Sequence, residues 1–263
     1  MCNIMLLCLD IGNTHLCGGI FLENSLLLQF RHDSKYIGTS DELGVFIRNV
    51  LRENDIDYRK IQQVGIASVV PGIDYTLRAT CIKYLNRKPP LFLRPGIKTG
   101  IQIKTHNPNE VGADFIAGAI AAVELYPNQE LLIFDLGTAT TGCYINKHAE
   151  FLGGVIAPGI RVMMDSLQSN TAKLFEVSIV TPESVIGKNT KTAIQSGIYY
   201  SQIGLIKEII AHTISEYQLT EKLTVIATGG FSHLFNKSKV FDQQIPELVL
   251  LGIKKMVEMN QTQ

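Results

Sequence analysis

The sequence has no excess of either charge, no paired-cysteine motif and no long apolar run. Lys plus Arg and Asp plus Glu both number 24, so the formal net charge is zero, and no basic tail could follow a nucleic-acid backbone. The five cysteines are odd in number and contain no Cys-x-x-Cys motif, which argues against a disulfide framework or a zinc knuckle. Asp10 interrupts the apolar N-terminal stretch, and no apolar run reaches the roughly 20 residues of a membrane span. We therefore expect a cytoplasmic protein with no nucleic-acid partner, no membrane segment and no targeting segment.

Two segments of the chain resemble each other closely enough to indicate a duplicated phosphate-binding hairpin. The first reads LCLDIGNTHLCGGI over residues 7–20, and the second reads LIFDLGTATTGCYI over residues 132–145. Aligned without gaps, they superpose Asp10 on Asp135, Gly12 on Gly137 and Asn13 on Thr138. A carboxylate at a strand end can hold a cation, and the glycine and small polar residue bring N–H and hydroxyl donors to phosphate oxygens. A single Asp-x-Gly is a common turn, but two matched copies predict a clamp for a nucleotide.

The rest of the chain predicts a similar order of strands and helices in each half. In the first half we predict strands over residues 5–9, 16–21, 26–31, 64–69 and 91–93, a helix after a capping box at residues 39–42, and a second helix over residues 75–85. In the second half we predict strands over residues 131–134, 141–145, 151–156 and 223–227, with helical stretches before the last one. A helix over residues 110–126, capped by Asn107 or Asn109, joins the halves.

This duplication predicts the fold class and the division into domains. We expect an α/β protein with two β-β-β-α-β-α domains, residues 1–127 and residues 128–263, around a nucleotide cleft. By analogy of fold, this is the duplicated ribonuclease-H-like architecture of actin, sugar kinases and heat-shock chaperone ATPases. At 263 residues and 46% hydrophobic content, the chain is long enough to bury substantial cores.

A rival phosphate site at residues 187–190, reading GKNT, is excluded by its surroundings. A P-loop requires Gly five residues before its last Gly, and Ser or Thr directly after its Lys. Here those places hold Pro182 and Asn189. The segment is therefore not a Walker A sequence.

Five segments together resemble the type III pantothenate kinase family. They read DIGNT at residues 10–14, NPNEVGAD at 107–114, DLGTATT at 135–141, GGVIAPG at 153–159 and GKNT at 187–190. The resemblance spans most of the chain, and its order and spacing are more specific than any single motif. It implies ATP-dependent phosphorylation of the primary hydroxyl of pantothenate, the first step of coenzyme A synthesis.

The resemblance also implies roles for individual residues. The first phosphate loop would consist of Asp10, Ile11, Gly12, Asn13, Thr14, His15, Leu16 and Cys17, and Thr138 would contact ATP from the second loop. Asp135 would hold a monovalent cation, K⁺ or NH₄⁺, that acts alongside Mg²⁺. Asp114 would accept the proton of the attacking hydroxyl, and the substrate pocket would include Thr105, Gly112, Ala113, Asp114, Phe115 and Thr190. The family resemblance further implies a homodimer with the substrate site at the subunit interface.

Three positions around that pocket depart from the family pattern. Phe115 stands where an arginine is usual, Thr105 where a tyrosine is common, and Gly118 where an asparagine is common. A phenylalanine cannot replace the fork of donors with which an arginine binds a carboxylate. Two hypotheses follow: a pantothenate kinase with altered substrate contacts, or a degenerate paralogue that binds nucleotide and acts as a regulatory or accessory protein. The retained aspartates, Asp10, Asp114 and Asp135, favour the enzyme.

Several of these residues also have structural interpretations. A carboxylate in the first turn of a helix, such as Asp114, is favoured by the helix dipole. Thr190 could be the N-cap of a helix over residues 193–217, and the pairs Gly153-Gly154 and Pro158-Gly159 could form tight turns. Tyr199 and Tyr200 are expected to pack in a core or at a dimer contact. The six histidines lack metal-ligand spacing.

Overall fold

A computed structural model describes residues 5–85, 87–169 and 177–261, and these fold as two compact units. The first unit comprises the described residues of Met1–Ile101, His106–Leu125 and Leu248–Gln263. The second comprises Gln102–Thr105 and the described residues of Tyr126–Glu247. The last helix of the chain thus lies in the first unit. The division into functional domains at residue 127 stays a prediction.

The sheet of the first unit is an antiparallel meander extended by two parallel strands. Its strands are β1 Met5–Ile11, β2 His15–Leu22, β3 Ser25–Asp33, β4 Ile61–Ser68 and β5 Leu91–Phe92. They lie in the order β3-β2-β1-β4-β5, with β4 parallel to β1 and β5 parallel to β4. All five were predicted from the sequence, and the structure confirms them with boundaries shifted by a few residues.

Both faces of this sheet are covered by helices, because the central strand is apolar on both faces. Leu7 and Leu9 of β1 pack in the core that includes Ile47 of helix α1 Ser40–Glu53 and Leu77 of helix α2 Asp74–Tyr84. The alternate residues of β1, among them Cys8, pack with helices α3 Ala113–Leu125 and α6 Leu248–Met259. The predicted capping box at residues 39–42 precedes α1 and is confirmed.

The sheet of the second unit repeats this topology. Its strands are β6 Gln102–Ile103, β7 Glu130–Leu136, β8 Ala139–Ile145, β9 Glu150–Pro158, β10 Leu223–Thr228 and β11 Gln243–Gln244. The order is β11-β10-β7-β8-β9-β6, so removing β6 leaves the order of the first sheet. The antiparallel meander and the parallel pairing of β7 with β10 and β10 with β11 are also the same. The predicted duplication of the β-β-β-α-β pattern is confirmed.

Helices α4 Ile160–Ser169 and α5 Thr190–Glu216 contribute to the core of the second unit. Tyr199 of α5 is buried and stacks on Phe235 with ring centroids 5.1 Å apart, so the prediction that it packs is confirmed. Within the described residues, no helix has both the length and the apolar character needed to span a bilayer.

Three local predictions are wrong. The N-cap of α5 is Asn189, whose side chain accepts from the N–H of Thr192, and Thr190 is the first residue of the helix. Asn107 caps the short 3-10 helix Pro108–Glu110, because the chain makes one tight turn before α3 begins. Gly153 and Gly154 lie inside strand β9 and do not form a tight turn. The strand has a bulge opposite Tyr144 and Ile145, and Gly153 has a positive φ there.

Candidate active site

The first phosphate turn is the connection between β1 and β2. Asp10 pairs with Cys17 across the hairpin, and Gly12, Asn13 and Thr14 form the loop. The N–H of Gly12 donates to the carbonyl of His15 over 3.0 Å. Asn13 and His15 are exposed, so both side chains are accessible at the tip.

The carbonyl groups of this turn are fixed by the rest of the first unit. The hydroxyl of Ser34 donates to the carbonyl of Gly12 over 2.7 Å, and the N–H of Ser34 donates to that of Thr14 over 2.8 Å. The N–H of Val69, just after β4, donates to the carbonyl of Ile11 over 3.0 Å. Because anions are bound by N–H groups and repelled by carbonyls, holding the carbonyls in place prepares the turn for phosphate.

The second phosphate turn connects β7 to β8 and is one residue shorter. Asp135 pairs with Thr141, and Gly137 and Thr138 alone form the loop. The N–H of Gly137 donates to the carbonyl of Ala139 over 3.0 Å. The alignment without gaps therefore holds only up to the turn, because Asp10 pairs seven residues ahead and Asp135 pairs six residues ahead.

One pair of equivalent glycines confirms this corrected alignment. Gly18 follows Cys17 on β2, and Gly142 follows Thr141 on β8. A Cβ at Gly18 would collide with the ring of Phe30, and a Cβ at Gly142 would lie 2.9 Å from the ring of Phe134. Both hairpins therefore need glycine here, because an aromatic ring from a paired strand covers the position.

Two further glycines lie against the second turn. A Cβ at Gly159 would collide with the carbonyl oxygen of Thr138 and lie 2.7 Å from that of Gly137. Gly229, with φ of 87°, stands just after β10, where a Cβ would collide with Oδ1 of Asp135. The sequence indicated a tight turn at Gly159, but it did not predict that Gly159 and Gly229 would lie against the second phosphate turn. Their proximity depends on strand order, which no local motif specifies.

Asp114 lies in the first turn of α3 and is held by its neighbours. Its Oδ1 accepts a hydrogen bond from the N–H of Phe115 over 2.8 Å. A Cβ at Gly112 would collide with that same oxygen and lie 3.5 Å from Cγ1 of Val69. Val69 also bonds Ile11, so the structure brings the first phosphate turn and Asp114 to the same region of the first unit.

The environment of Asp114 suits a proton acceptor. Burial raises the pKa of its carboxyl above the ordinary value, and hydrogen bonds from the N–H groups of Phe115 and Asp114 itself oppose this in part. Among the residues that the structure describes, no cation forms an ion pair with it. A carboxylate with a raised pKa takes up a proton more readily near neutral pH than an exposed one does.

The remaining predicted substrate residues lie in both units. Ala113 and Phe115 flank Asp114 on α3, and both are half-buried. Thr105, in the second unit, has a buried Oγ1 with no hydrogen-bond partner among the described residues. A buried hydroxyl without a partner is costly, which is consistent with a position that a polar ligand completes. Thr190 is exposed at the start of α5.

The second turn offers oxygen atoms to a cation. Asp135 supplies a carboxylate at the end of β7, and Thr138 supplies a hydroxyl at the exposed tip. Hard cations such as Mg²⁺ prefer oxygen ligands of these kinds, so the residues fit such an ion. No cluster of three or more His, Cys, Asp or Glu residues with metal-binding geometry occurs in residues 5–85, 87–169 or 177–261. Any ion here would therefore take further ligands from phosphate or water.

Comparisons with known proteins agree with this arrangement. The sequence profile of the family described as type III pantothenate kinase matches residues 6–212. A protein named type III pantothenate kinase, from Legionella pneumophila (strain Corby), is 48% identical over 256 residues, which cover 97% of this chain and 99% of that protein.

Two solved structures share the fold. A protein described as a Baf family transcriptional activator, from Campylobacter jejuni, aligns with a TM-score of 0.60 at 20% identity and covers 97% of this chain and 98% of its own. A protein described as a 2-dehydro-3-deoxygalactonokinase, from Sinorhizobium meliloti, aligns with a TM-score of 0.57 at 11% identity and covers 98% and 97%. At these identities the likeness concerns the fold alone. Together with the repeated sheet order, it confirms the predicted duplicated ribonuclease-H-like class.

Proposed function

Because the chain belongs to the type III pantothenate kinase family, we propose that it phosphorylates the primary hydroxyl of pantothenate with ATP, the first step of coenzyme A synthesis. The observation that carries this proposal is the pair of Asp-x-Gly turns, together with a half-buried carboxylate of raised pKa, Asp114, on the helix that follows the first sheet. Phosphoryl transfer depends mainly on positioning and on neutralising charge, and these are the parts that it needs.

The two turns bind the phosphates of ATP in this proposal. The first turn, from Asp10 to Cys17, contributes N–H groups and the exposed side chains of Asn13 and His15. Its carbonyl groups are held by Ser34 and Val69, which supports an orientation suited to an anion. The second turn contributes the hydroxyl of Thr138.

Asp114 acts as the general base. As the pantothenate hydroxyl attacks, its proton passes to the Asp114 carboxylate, a bond forms between the hydroxyl oxygen and the γ-phosphorus, and the bond to the β-phosphate oxygen breaks to release ADP. Gly112 supports this role because any larger residue there would displace the carboxylate. A base of this kind contributes roughly 10²–10⁴-fold to the rate.

Cations complete the charge balance. Asp135 is the residue proposed to hold K⁺ or NH₄⁺, and its carboxylate at the end of β7 supports this. Mg²⁺, when bound, neutralises charge on the β- and γ-phosphate oxygens.

The pantothenate contacts in this proposal are Thr105, Gly112, Ala113, Phe115 and Thr190. The unpartnered Oγ1 of Thr105 supports a hydrogen bond to the substrate. Phe115 offers an apolar surface beside Asp114, so the substrate carboxylate must find its partner elsewhere. We further infer a homodimer with the substrate site at the subunit interface. A mass of 29.1 kDa measured by light scattering, which is that of the monomer, would contradict this inference. The cytoplasmic location stays a prediction that rests on cysteine usage.

The test is ADP release by purified protein with Mg²⁺ and ATP, with and without pantothenate and K⁺. We expect release that depends on pantothenate, and Asp114→Asn should lower kcat about 10²–10⁴-fold while ATP binding is retained. The matched control is Glu124→Gln on the same helix, which removes a surface ion pair with Lys255 and should leave kcat unchanged. A fully active Asp114→Asn enzyme would overturn the role of Asp114.

The same assay separates the kinase from the degenerate paralogue. ATP binding without turnover would favour the paralogue, and gain of activity in Phe115→Arg would then place the defect at the departure from the family pattern.

A further inference from the structure

Gln202 is a polar side chain that lies fully buried in the second unit. It sits on α5, has 0% exposure, and uses both ends of its amide. Its Oε1 accepts from the hydroxyl of Thr140 over 2.6 Å, and its Nε2 donates to the carbonyl of Pro158 over 3.0 Å. Nε2 also lies 3.1 Å from Sδ of Met163 on α4. One amide therefore joins α5 to strands β8 and β9.

Both partners lie beside the second phosphate turn, on the paired strands β8 and β9. Thr140 is the second residue of β8, the strand that begins directly after the turn. Pro158 ends β9, pairs with Ala139, and precedes Gly159, where an added Cβ would collide with the carbonyl oxygen of Thr138. Gln202 thus fixes the strand that leaves the turn and the segment that packs on it.

The buried face of α5 around Gln202 is otherwise mostly apolar. Ile198, Ile203 and Ile206 all pack in the core of the second unit. A buried amide contributes little net stability over an apolar side chain of similar shape, but its hydrogen bonds specify one geometry. We therefore explain the Gln202 amide by its effect on the position of its partners, and not by a contribution to the stability of the fold.

We propose that Gln202 is a positioning residue for the phosphate turn at Gly137 and Thr138, acting through Thr140 and Pro158. This inference rests on the proposed function, in which that turn binds ATP. Small displacements of binding groups can cost as much as about 10²-fold in rate. A substitution of Gln202 should therefore lower kcat/KM for ATP and leave KM for pantothenate unchanged.

The test is Gln202→Met, which keeps the length of the side chain and removes both hydrogen bonds. We expect kcat/KM for ATP to fall roughly 10- to 10²-fold, with KM for pantothenate unchanged. The matched control is Gln195→Met on the same helix, where the buried amide donates to the carbonyl of Ser178 over 2.7 Å, a partner outside strands β8 and β9. It should lose comparable stability and keep its kinetics for ATP.

Thr140→Val supplies a second route if Gln202→Met folds poorly, because it removes one of the same hydrogen bonds from the other side. We expect the same defect for ATP, and a double variant should show less than the sum of the two losses. Equal losses for ATP and pantothenate in Gln202→Met, or additive losses in the double variant, would overturn the proposal.

Thr138→Val distinguishes failure of this inference from failure of the proposed function. If Thr138→Val weakens ATP use and Gln202→Met does not, the turn binds ATP and Gln202 does not position it. If Thr138→Val also leaves the kinetics for ATP unchanged, the assignment of the turn to ATP is wrong, and the role of Gln202 is overturned with it.

Discussion

At the scale of a residue, catalysis and folding make opposite demands on Asp114. Catalysis needs a carboxylate that accepts a proton near neutral pH, so burial that raises its pKa is useful. Folding is opposed by the same burial, because a charge is removed from water without a cationic partner among the described residues. The N–H of Phe115 and the N-terminal position on α3 offset part of this cost.

Asp114→Asn should therefore stabilise the protein at neutral pH. A carboxyl with a higher pKa in the folded state binds more protons when folded, so stability falls as pH rises from the ordinary carboxyl value, about 4, through the raised one. We expect a higher melting temperature than wild type at pH 7. The gain should vanish below about pH 4, where both side chains are neutral.

Asp41→Asn is the control with the opposite sign in the same thermal unfolding experiment. Hydrogen bonds from Tyr84 and Lys83 lower the pKa of Asp41, so its charge favours the folded state above the ordinary carboxyl pKa. This variant should lose stability at pH 7 and match wild type in acid. Equal melting temperatures for Asp114→Asn and wild type at pH 7 would contradict the assigned burial cost.

At the scale of elements, the sequence was informative where patterns are local. Apolar runs and turn residues predicted the meander strands β1, β2 and β3, and the capping box predicted the start of α1. Strands β6 and β11 are two residues long and lack the apolar run that predicted the equally short β5, and they form because a longer strand is available for pairing. The contacts of Gly159 and Gln202 around the second turn were not predicted for a similar reason, since both depend on which distant segments pack there.

The pairing of α3 with α6 is another feature that no local pattern reveals. A Cβ at Gly252 on α6 would collide with the carbonyl oxygen of Ala117 on α3 and lie 2.5 Å from its carbonyl carbon. Backbone therefore meets backbone, and there is no flexible side chain that could move aside. Gly252→Ala should destabilise the protein by about 1–3 kcal/mol or more, measured by urea unfolding.

Gly118→Ala on the same pair of helices is the matched control. A Cβ there would lie 4.0 Å from Leu248, which is ordinary contact, and alanine is the better helix former. We expect unchanged stability or a gain of up to about 1 kcal/mol. If both variants lost stability equally, close backbone packing at Gly252 would not be the explanation.

At the scale of the whole molecule, each of the two compact units contains one Asp-x-Gly turn. The duplication makes the turns equivalent in topology, but their loops differ by one residue and their glycine neighbours differ. Gly229 lies against the carboxylate of Asp135, whereas in the first turn the hydroxyl of Ser34 donates a hydrogen bond to the carbonyl of Gly12. These differences are consistent with the distinct roles proposed for Asp10, beside the phosphates, and Asp135, at a monovalent cation.

Ligand-linked stability can separate those two roles. A ligand that binds only the folded state adds about 2.7 kcal/mol at 100 times its dissociation constant, so Mg²⁺ and ATP should raise the melting temperature of the wild type, and more in K⁺ than in Na⁺. Asp135→Asn should remove the difference between K⁺ and Na⁺ and keep part of the response to ATP. Asp10→Asn should reduce the rise in melting temperature caused by ATP in both salts, and the ratio of the rise in K⁺ to the rise in Na⁺ should stay unchanged. If the two variants behaved alike, the assignment of the cation to Asp135 would be wrong, and the two aspartates would act as one phosphate-binding pair.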